Sequence, residues 1–206
     1  MLSEEDLRRL LLPFGLDLSS AQLASLLTYL NLLLRWNRKI NLTALRTPEE
    51  CVTRLFGESL YLARWIELRG QLLDVGSGAG FPGLAIKICR PQLRVTLIES
   101  NHKKATFLRE VVRSLALTKV DVFCGRAEDY ARDRAAVVTL RAVERFDEIL
   151  PVAASLVGAA GRLALLIGVA QCPRVASLTP DLQWNQLIPI PLSHNRVLLV
   201  GKREPN

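Results

Sequence analysis

Apolar positions change their period once along the 206-residue chain. Before residue 66 they recur every three or four places. Leu23, Leu26, Leu27, Leu30 and Leu33 fall on one face of a helix that Ser19 and Gln22 open as a capping box. Thr47-Pro48-Glu49-Glu50 marks a second helix start, with Thr as N-cap, Pro at the first position and Glu at the third. Between them Arg35, Trp36, Arg38 and Lys39 gather at a helix end. From Gln71 onward, short apolar runs alternate with amphipathic stretches. The pattern predicts strands at 71–75, 94–98, 120–124, 136–141, 162–167, about 184–189 and 196–202, and helices at 83–89, 102–116 and 145–157. In the 102–116 helix, Leu108, Val111, Val112 and Leu115 share a face. Continuous apolar strands alternating with helices predict an α/β fold: a mostly parallel sheet with helices on both faces. The short Pro/Ser/Asn connection between the last two strands predicts an antiparallel C-terminal hairpin at one edge. The expected organisation is a helical N-terminal subdomain, 1–66, packed on a core domain, 67–206.

Composition narrows the class. Half the residues are hydrophobic, as a folded protein requires. Residues 152–170 are apolar enough to suggest a membrane span, but Gly158, Gly161 and Arg162 interrupt them, so a helix, a turn and a strand are predicted there. Glu4, Glu5 and Asp6 stand where a signal peptide would carry basic residues. A soluble, cytoplasmic protein without a membrane partner is expected. Cys51, Cys89, Cys124 and Cys172 are scattered, no CxxC pair occurs and there are two histidines, so no metal site is expected.

The charge is +7, and the excess is local: residues 70–145 hold 13 of the 27 basic groups against 8 of the 20 acids. Arginine outnumbers lysine, which suits bidentate phosphate contact. A polyanionic partner such as nucleic acid fits this distribution.

The chemistry concentrates at residues 72–83, Leu-Leu-Asp-Val-Gly-Ser-Gly-Ala-Gly-Phe-Pro-Gly. An apolar strand carrying Asp74 enters a glycine-dense turn, which opens a helix whose N-terminal amides favour negative charge. Two readings compete. Gly78 to Gly83 satisfies G-x-G-x-x-G, with Glu99 following Gly78 by 21 residues, as a dinucleotide site requires. Asp74 to Gly80 equally satisfies Asp-x-Gly-x-Gly-x-Gly, the pattern of S-adenosyl-L-methionine-dependent methyltransferases. Three features favour the second: an acid within the first strand suits a cofactor with a cationic amino acid end, Pro82 interrupts the dinucleotide spacer, and the C-terminal hairpin fits a methyltransferase sheet. In either case Glu99, at the end of the second strand, is placed to accept hydrogen bonds from ribose hydroxyls. Ala127 and Glu128, after the third strand, are candidates to contact the base.

Gly-Ser-Gly-Ala-Gly-Phe-Pro-Gly, Glu99-Ser100-x-x-Lys103-Lys104-x-x-Phe107-Leu108, Gly125-Arg126-Ala127-Glu128, the Trp36-Asn37 … Asn41-Leu42-Thr43 segment and Leu140-Arg141-Ala142 together resemble one family over nearly the whole chain. It is the bacterial small-subunit (16S) ribosomal RNA guanine-N7 methyltransferase family, also called glucose-inhibited division protein B. The resemblance implies a Rossmann-like methyltransferase sheet in residues 67–206 and S-adenosyl-L-methionine as cofactor. It implies cofactor contacts at Gly76, Phe81, Ala127, Glu128 and Arg141, beside Asp74, Gly78 and Glu99 from the turn itself. It also implies methyl transfer to a guanine N7 of small-subunit ribosomal RNA, free or within the ribosomal subunit. A monomer is favoured. Leu55 and Glu58 stand where the family pattern has histidine and aspartate, and Ile167 lies where a lysine usually ends the fifth strand. A non-catalytic or retargeted RNA-binding paralogue is the alternative reading, and an NAD-dependent oxidoreductase a further one.

Guanine N7 carries an in-plane lone pair and no proton, so no general base is required and no catalytic residue is assigned. Arg9, Arg35, Arg38, Lys39, Lys103, Lys104, Arg196 and Lys202 are candidates for phosphate contact. Trp36, at helical spacing beside leucines, is read as core rather than as a base-stacking ring.

Overall fold

The computed structural model describes residues 2–131 and 134–205. Its N-terminal part holds helices α1 (Glu4–Leu11), α2 (Ser20–Asn37), α3 (Pro48–Cys51) and α4 (Glu58–Leu62). The expected capping boxes form: Ser19 and Gln22 bond reciprocally at the start of α2, and Thr47 and Glu50 do so at α3. Between α3 and α4 the backbone widens into a π turn, Val52–Gly57. Such turns are rare and occur often beside functional sites.

The sheet begins with β1 (Gln71–Val75), followed by α5 (Gly83–Cys89), β2 (Arg94–Glu99), α6 (His102–Ser114), β3 (Val120–Cys124) and β4 (Ala135–Arg141). Next come α7 (Phe146–Ser155), β5 (Val157–Gly168), α8 (Cys172–Leu178), β6 (Leu182–Trp184), β7 (Ile188–Pro189) and β8 (Arg196–Arg203). Strand order is β3-β2-β1-β4-β5-β8-β6, with β7 also paired to β8. The first five strands run parallel, and β8 is antiparallel to β5, β6 and β7. The order reverses between β1 and β4, which opens a crevice at the carboxyl ends of those strands.

The antiparallel end differs in detail from the predicted hairpin. β8 is not an edge strand: it lies between β5 and the short β6 and β7. The expected strand at about 184–189 is two pieces, and α8 was not foreseen. Residues 152–170 divide into the end of α7 and β5, as the glycines and Arg162 require.

Side-chain alternation sorts the sheet into two cores. Leu72 and Val137 face one cluster, shared with the N-terminal helices; Leu73 and Val138 face the other, shared with α7 and α8. All seven residues of α5 are buried because α2 and α4 pack over it. Hence Lys87, 1 % exposed, turns its ammonium onto the carbonyls of Pro91 (2.7 Å) and Leu93 (2.6 Å). Trp36 is half-buried and packs against Phe107 at the margin of the core, ring centroids 5.6 Å apart.

Candidate active site

The turn after β1 is held from both sides by acids. Asp74 is fully buried; its Oδ2 accepts from the Gly83 N–H (3.1 Å) and its Oδ1 from the Thr139 hydroxyl (2.8 Å). Burial pushes this carboxyl up to about 6, while the two hydrogen bonds pull in the opposite direction. Glu99, at the end of β2, accepts from the Gly78 N–H (2.8 Å) on one oxygen and the Asn101 N–H (2.7 Å) on the other. The glycines are needed for different reasons. A Cβ on Gly78 would meet nothing nearer than a carbonyl at 3.8 Å, so its left-handed φ of +56° is the whole requirement. Gly80, at φ +89°, also lacks space: a Cβ there would run into the Tyr29 hydroxyl and lie 2.6 Å from Leu84. That hydroxyl donates to the Ala79 carbonyl and so ties α2 to the turn.

Above the turn lies a cleft of about 850 Å³ at the carboxyl ends of β1, β2 and β4, within the usual range for small-molecule sites. Gly76, Gly78, Phe81, Glu99, Ala127, Glu128 and Arg141 all line it. Asp74 does not; its carboxylate lies beneath the turn, taken up by Gly83 and Thr139. The Phe81 ring is 4 % exposed, stacked on Tyr29 at 5.1 Å and edge-on to Phe56 at 4.9 Å, so it braces the turn from the core side. Ala127 and Glu128 open a short 3₁₀ turn, Ala127–Asp129. The Glu128 carboxylate pairs with Arg126 at 2.9 Å, which lowers its pKa.

Arg141 ends β4, and its Nη2 donates to the Arg54 carbonyl (2.7 Å) and to Glu58 Oε2 (3.2 Å). Its Nε is buried and has no hydrogen-bond partner among the described residues. Burial lowers the guanidinium pKa, and neighbouring Arg196 acts in the same sense.

The facing wall consists of Asn41, Leu42, Thr43, Ala44 and Arg46 from the N-terminal part, with Leu55 from the π turn. The sequence marked Asn41, Leu42, Thr43 and Leu55 by family resemblance without assigning them to a site. Asn37 shapes this wall: its Oδ1 accepts from the N–H groups of Leu42 (2.9 Å) and Thr43 (3.0 Å). An asparagine followed by a polar run after a helix end was the available signal. Residues 142–145 of the β4–α7 connection complete the rim.

Of the phosphate-contact candidates, Lys104 lines the cleft, whereas Arg9 pairs with Asp6 (2.8 Å) and Arg35 with Glu110 (4.0 Å). Arg196 must be corrected: it is no surface cation but donates from Nε to Glu58 at 3.0 Å and from Nη2 to the Leu166 carbonyl at 3.3 Å. Of the three positions that depart from the family pattern, Leu55 lies on the cleft wall, Glu58 lies behind Arg141, and Ile167 is a core residue of the opposite sheet face.

Among the described residues, no group of three or more His, Cys, Asp or Glu side chains is placed to hold a metal ion. No helix among them is long and apolar enough to cross a membrane.

A family model for rRNA small subunit methyltransferase G matches residues 22–194. The chain belongs to that family. It is 45 % identical over 175 residues to the Ribosomal RNA small subunit methyltransferase G of Xylella fastidiosa strain M23, covering 82 % of this chain and 81 % of that one. It is 38 % identical to the protein of the same name from Neisseria meningitidis serogroup A, covering 86 % of each. Among solved structures, a SAM dependent methyltransferase from Aquifex aeolicus superposes with a TM-score of 0.61 at 14 % identity, over 75 % of this chain and 93 % of that one. TYW2 of M. jannaschii, solved in complex with AdoMet, gives 0.56 at 17 % identity over 72 % and 75 %. At such identities the structural matches establish the fold of this methyltransferase G family member, a Rossmann-like sheet with its antiparallel end, and nothing finer.

Proposed function

We propose that this chain is an S-adenosyl-L-methionine-dependent methyltransferase that modifies N7 of a guanine in small-subunit ribosomal RNA. The observation that carries the reading is the cleft at the β1/β4 reversal, where the turn N–H of Gly78 and the strand-end carboxylate of Glu99 are joined in a family member. The donor set fits the cofactor. Each Glu99 oxygen accepts one backbone N–H and keeps a lone pair for a ribose hydroxyl. Gly76, Gly78 and Phe81 would form the floor, with Ala127 and Glu128 against the adenine. The Arg141 Nε, without a hydrogen-bond partner among the described residues, supports a polar contact from the end of β4. Asp74, ionised above about pH 6, sets a negative charge under the turn, complementary to a sulfonium and an ammonium.

When bound, S-adenosyl-L-methionine supplies an electrophilic methyl group. Guanine N7 offers an unprotonated lone pair, so the protein need only hold the base in line and exclude water. The N-terminal segment 1–66 would contribute the acceptor side through Asn41–Arg46 and Leu55, and residues 67–206 the cofactor side. An unpaired or extruded guanine is the expected substrate, with Lys104 and Arg46 at the cleft mouth facing its flanking phosphates. Calorimetry with the cofactor, followed by labelled methyl transfer to small-subunit RNA from cells lacking this protein, tests the reading. Micromolar binding with transfer is expected. Binding without transfer would return the chain to a non-catalytic RNA-binding role.

A further inference from the structure

Behind the cleft wall sits a buried cluster of three charges, of which Glu58 and Arg196 lie outside the set of residues assigned to the cofactor. Glu58 is 2 % exposed, and a single oxygen, Oε2, receives both Arg141 Nη2 (3.2 Å) and Arg196 Nε (3.0 Å). Both guanidiniums are largely buried, at 12 % and 16 % side-chain exposure. The three side chains come from α4, the end of β4 and the start of β8, separated by 83 and 138 residues in sequence. Only Arg141 lines the cleft.

The π turn prepares this arrangement. The Glu58 N–H bonds to the carbonyls of Leu55 and Thr53 and bypasses that of Arg54. The Arg54 carbonyl instead receives Arg141 Nη2 at 2.7 Å. One helical irregularity thus brings together both acceptors of Arg141 Nη2: a backbone carbonyl and, four residues on, the carboxylate. On the other side, Arg196 anchors that carboxylate to the sheet through the Leu166 carbonyl. With Nη2 held, the buried Arg141 Nε has no hydrogen-bond partner among the described residues.

We infer that Glu58 is a positioning residue for cofactor binding, fixing the Arg141 guanidinium from behind while Arg196 fixes Glu58. The inference rests on the proposed role of the cleft as the S-adenosyl-L-methionine site. Were the buried carboxylate only a stabiliser of the fold, removing it would lower the unfolding midpoint without acting through Arg141. A positioning residue instead changes cofactor affinity, and does so only while Arg141 is present.

The test is calorimetric titration of S-adenosyl-L-methionine into wild type, E58Q, R196Q, R141Q and the double variants E58Q/R141Q and E58Q/R196Q, with KM and kcat for methyl transfer. E58Q should raise Kd and the cofactor KM about tenfold, equivalent to about 1.4 kcal/mol, with kcat within about twofold. R196Q leaves the Glu58–Arg141 pair intact and should stay within about threefold of wild type. E58Q/R141Q should match R141Q alone, because the two changes act through one group. Should E58Q fail to fold through its surplus buried charge, E58Q/R196Q keeps the net charge of the wild-type cluster and should show the same tenfold loss. E58D, which restores a carboxylate, should recover most of the affinity. A folded E58Q or E58Q/R196Q that binds like wild type, or an E58Q effect that multiplies fully with that of R141Q, overturns the inference. Wild type that binds no S-adenosyl-L-methionine at all overturns the functional reading on which it rests, and the two failures are separate.

Discussion

Asp74 offers a perturbation whose sign and size follow from its surroundings. Replacing it by asparagine keeps the shape and both hydrogen bonds: the amide oxygen can accept from Gly83 N–H, and the amide nitrogen can donate to a rotated Thr139 hydroxyl that turns to the Leu73 carbonyl, already 3.4 Å away. What the substitution removes is a buried ionisation. The Asp74 carboxyl is pushed up to about 6 in the folded protein from an ordinary 3.8, which corresponds to about 3 kcal/mol. A raised carboxyl pKa means the folded state holds the proton more tightly than the unfolded chain between these values. The contribution is therefore fully present below pH 3.8 and is lost as pH rises through about 6. D74N does not suffer that loss. It should be more stable than wild type by up to about 3 kcal/mol at pH 8 and by roughly half as much at pH 5, because the other carboxylates cancel in the comparison. Urea unfolding followed by circular dichroism at the two pH values measures the difference. The same variant should bind S-adenosyl-L-methionine more weakly, since the negative charge beneath the turn is gone, a stability-for-function exchange common at binding sites. An unchanged stability gap between pH 5 and pH 8, or a D74N protein less stable at pH 8 than at pH 5 relative to wild type, would refute the reasoning.

Three further outcomes are expected. G80A places a Cβ at φ +89° against Tyr29 and Leu84; it should lower stability by about 2 kcal/mol or more and weaken cofactor binding, both measurable in one thermal-shift titration. K87M removes the ammonium that satisfies the Pro91 and Leu93 carbonyls and should cost about 2–3 kcal/mol in urea unfolding, while cofactor affinity stays unchanged. R46E combined with K104E reverses two cations that line the cleft. This variant should raise KM for RNA at least tenfold, flatten the salt dependence of RNA binding and leave the Kd for S-adenosyl-L-methionine within about twofold. A matching loss of cofactor affinity would contradict that division of labour.

The parts of the fold legible in the sequence were those specified by local chemistry. Ser19, Gln22, Thr47 and Glu50 signalled helix starts by side-chain bonds within one turn. Runs such as 71–75 and 136–141 signalled buried parallel strands because both of their faces meet apolar layers. The spacing from the glycine turn to Glu99 is a property of one strand-helix-strand unit, and the Gly78–Glu99 hydrogen bond follows from it. The rest depended on distant contacts. β8 lies between β5 and β6 because sheet order is chosen by packing, whereas a short connection fixes only that two strands are antiparallel. The π turn leaves no trace in a three-to-four-residue apolar period, and so the displacement of the Arg54 carbonyl was invisible. Arg196 read as a surface cation because its partner stands 138 residues earlier. Asn41-Leu42-Thr43 stood out as a family motif, but nothing in it told which cleft it would face.

The central claim, that this cleft directs a methyl group to a guanine N7, is tested most directly by identifying the modified nucleoside. Small-subunit RNA from cells lacking the protein is incubated with the purified chain and S-adenosyl-L-methionine carrying a heavy methyl group. It is then digested to nucleosides and analysed by mass spectrometry, with reductive strand scission on a parallel sample. The account predicts heavy 7-methylguanosine and cleavage at one position. Heavy label in any other nucleoside, or none despite calorimetric binding of the cofactor, would contradict it.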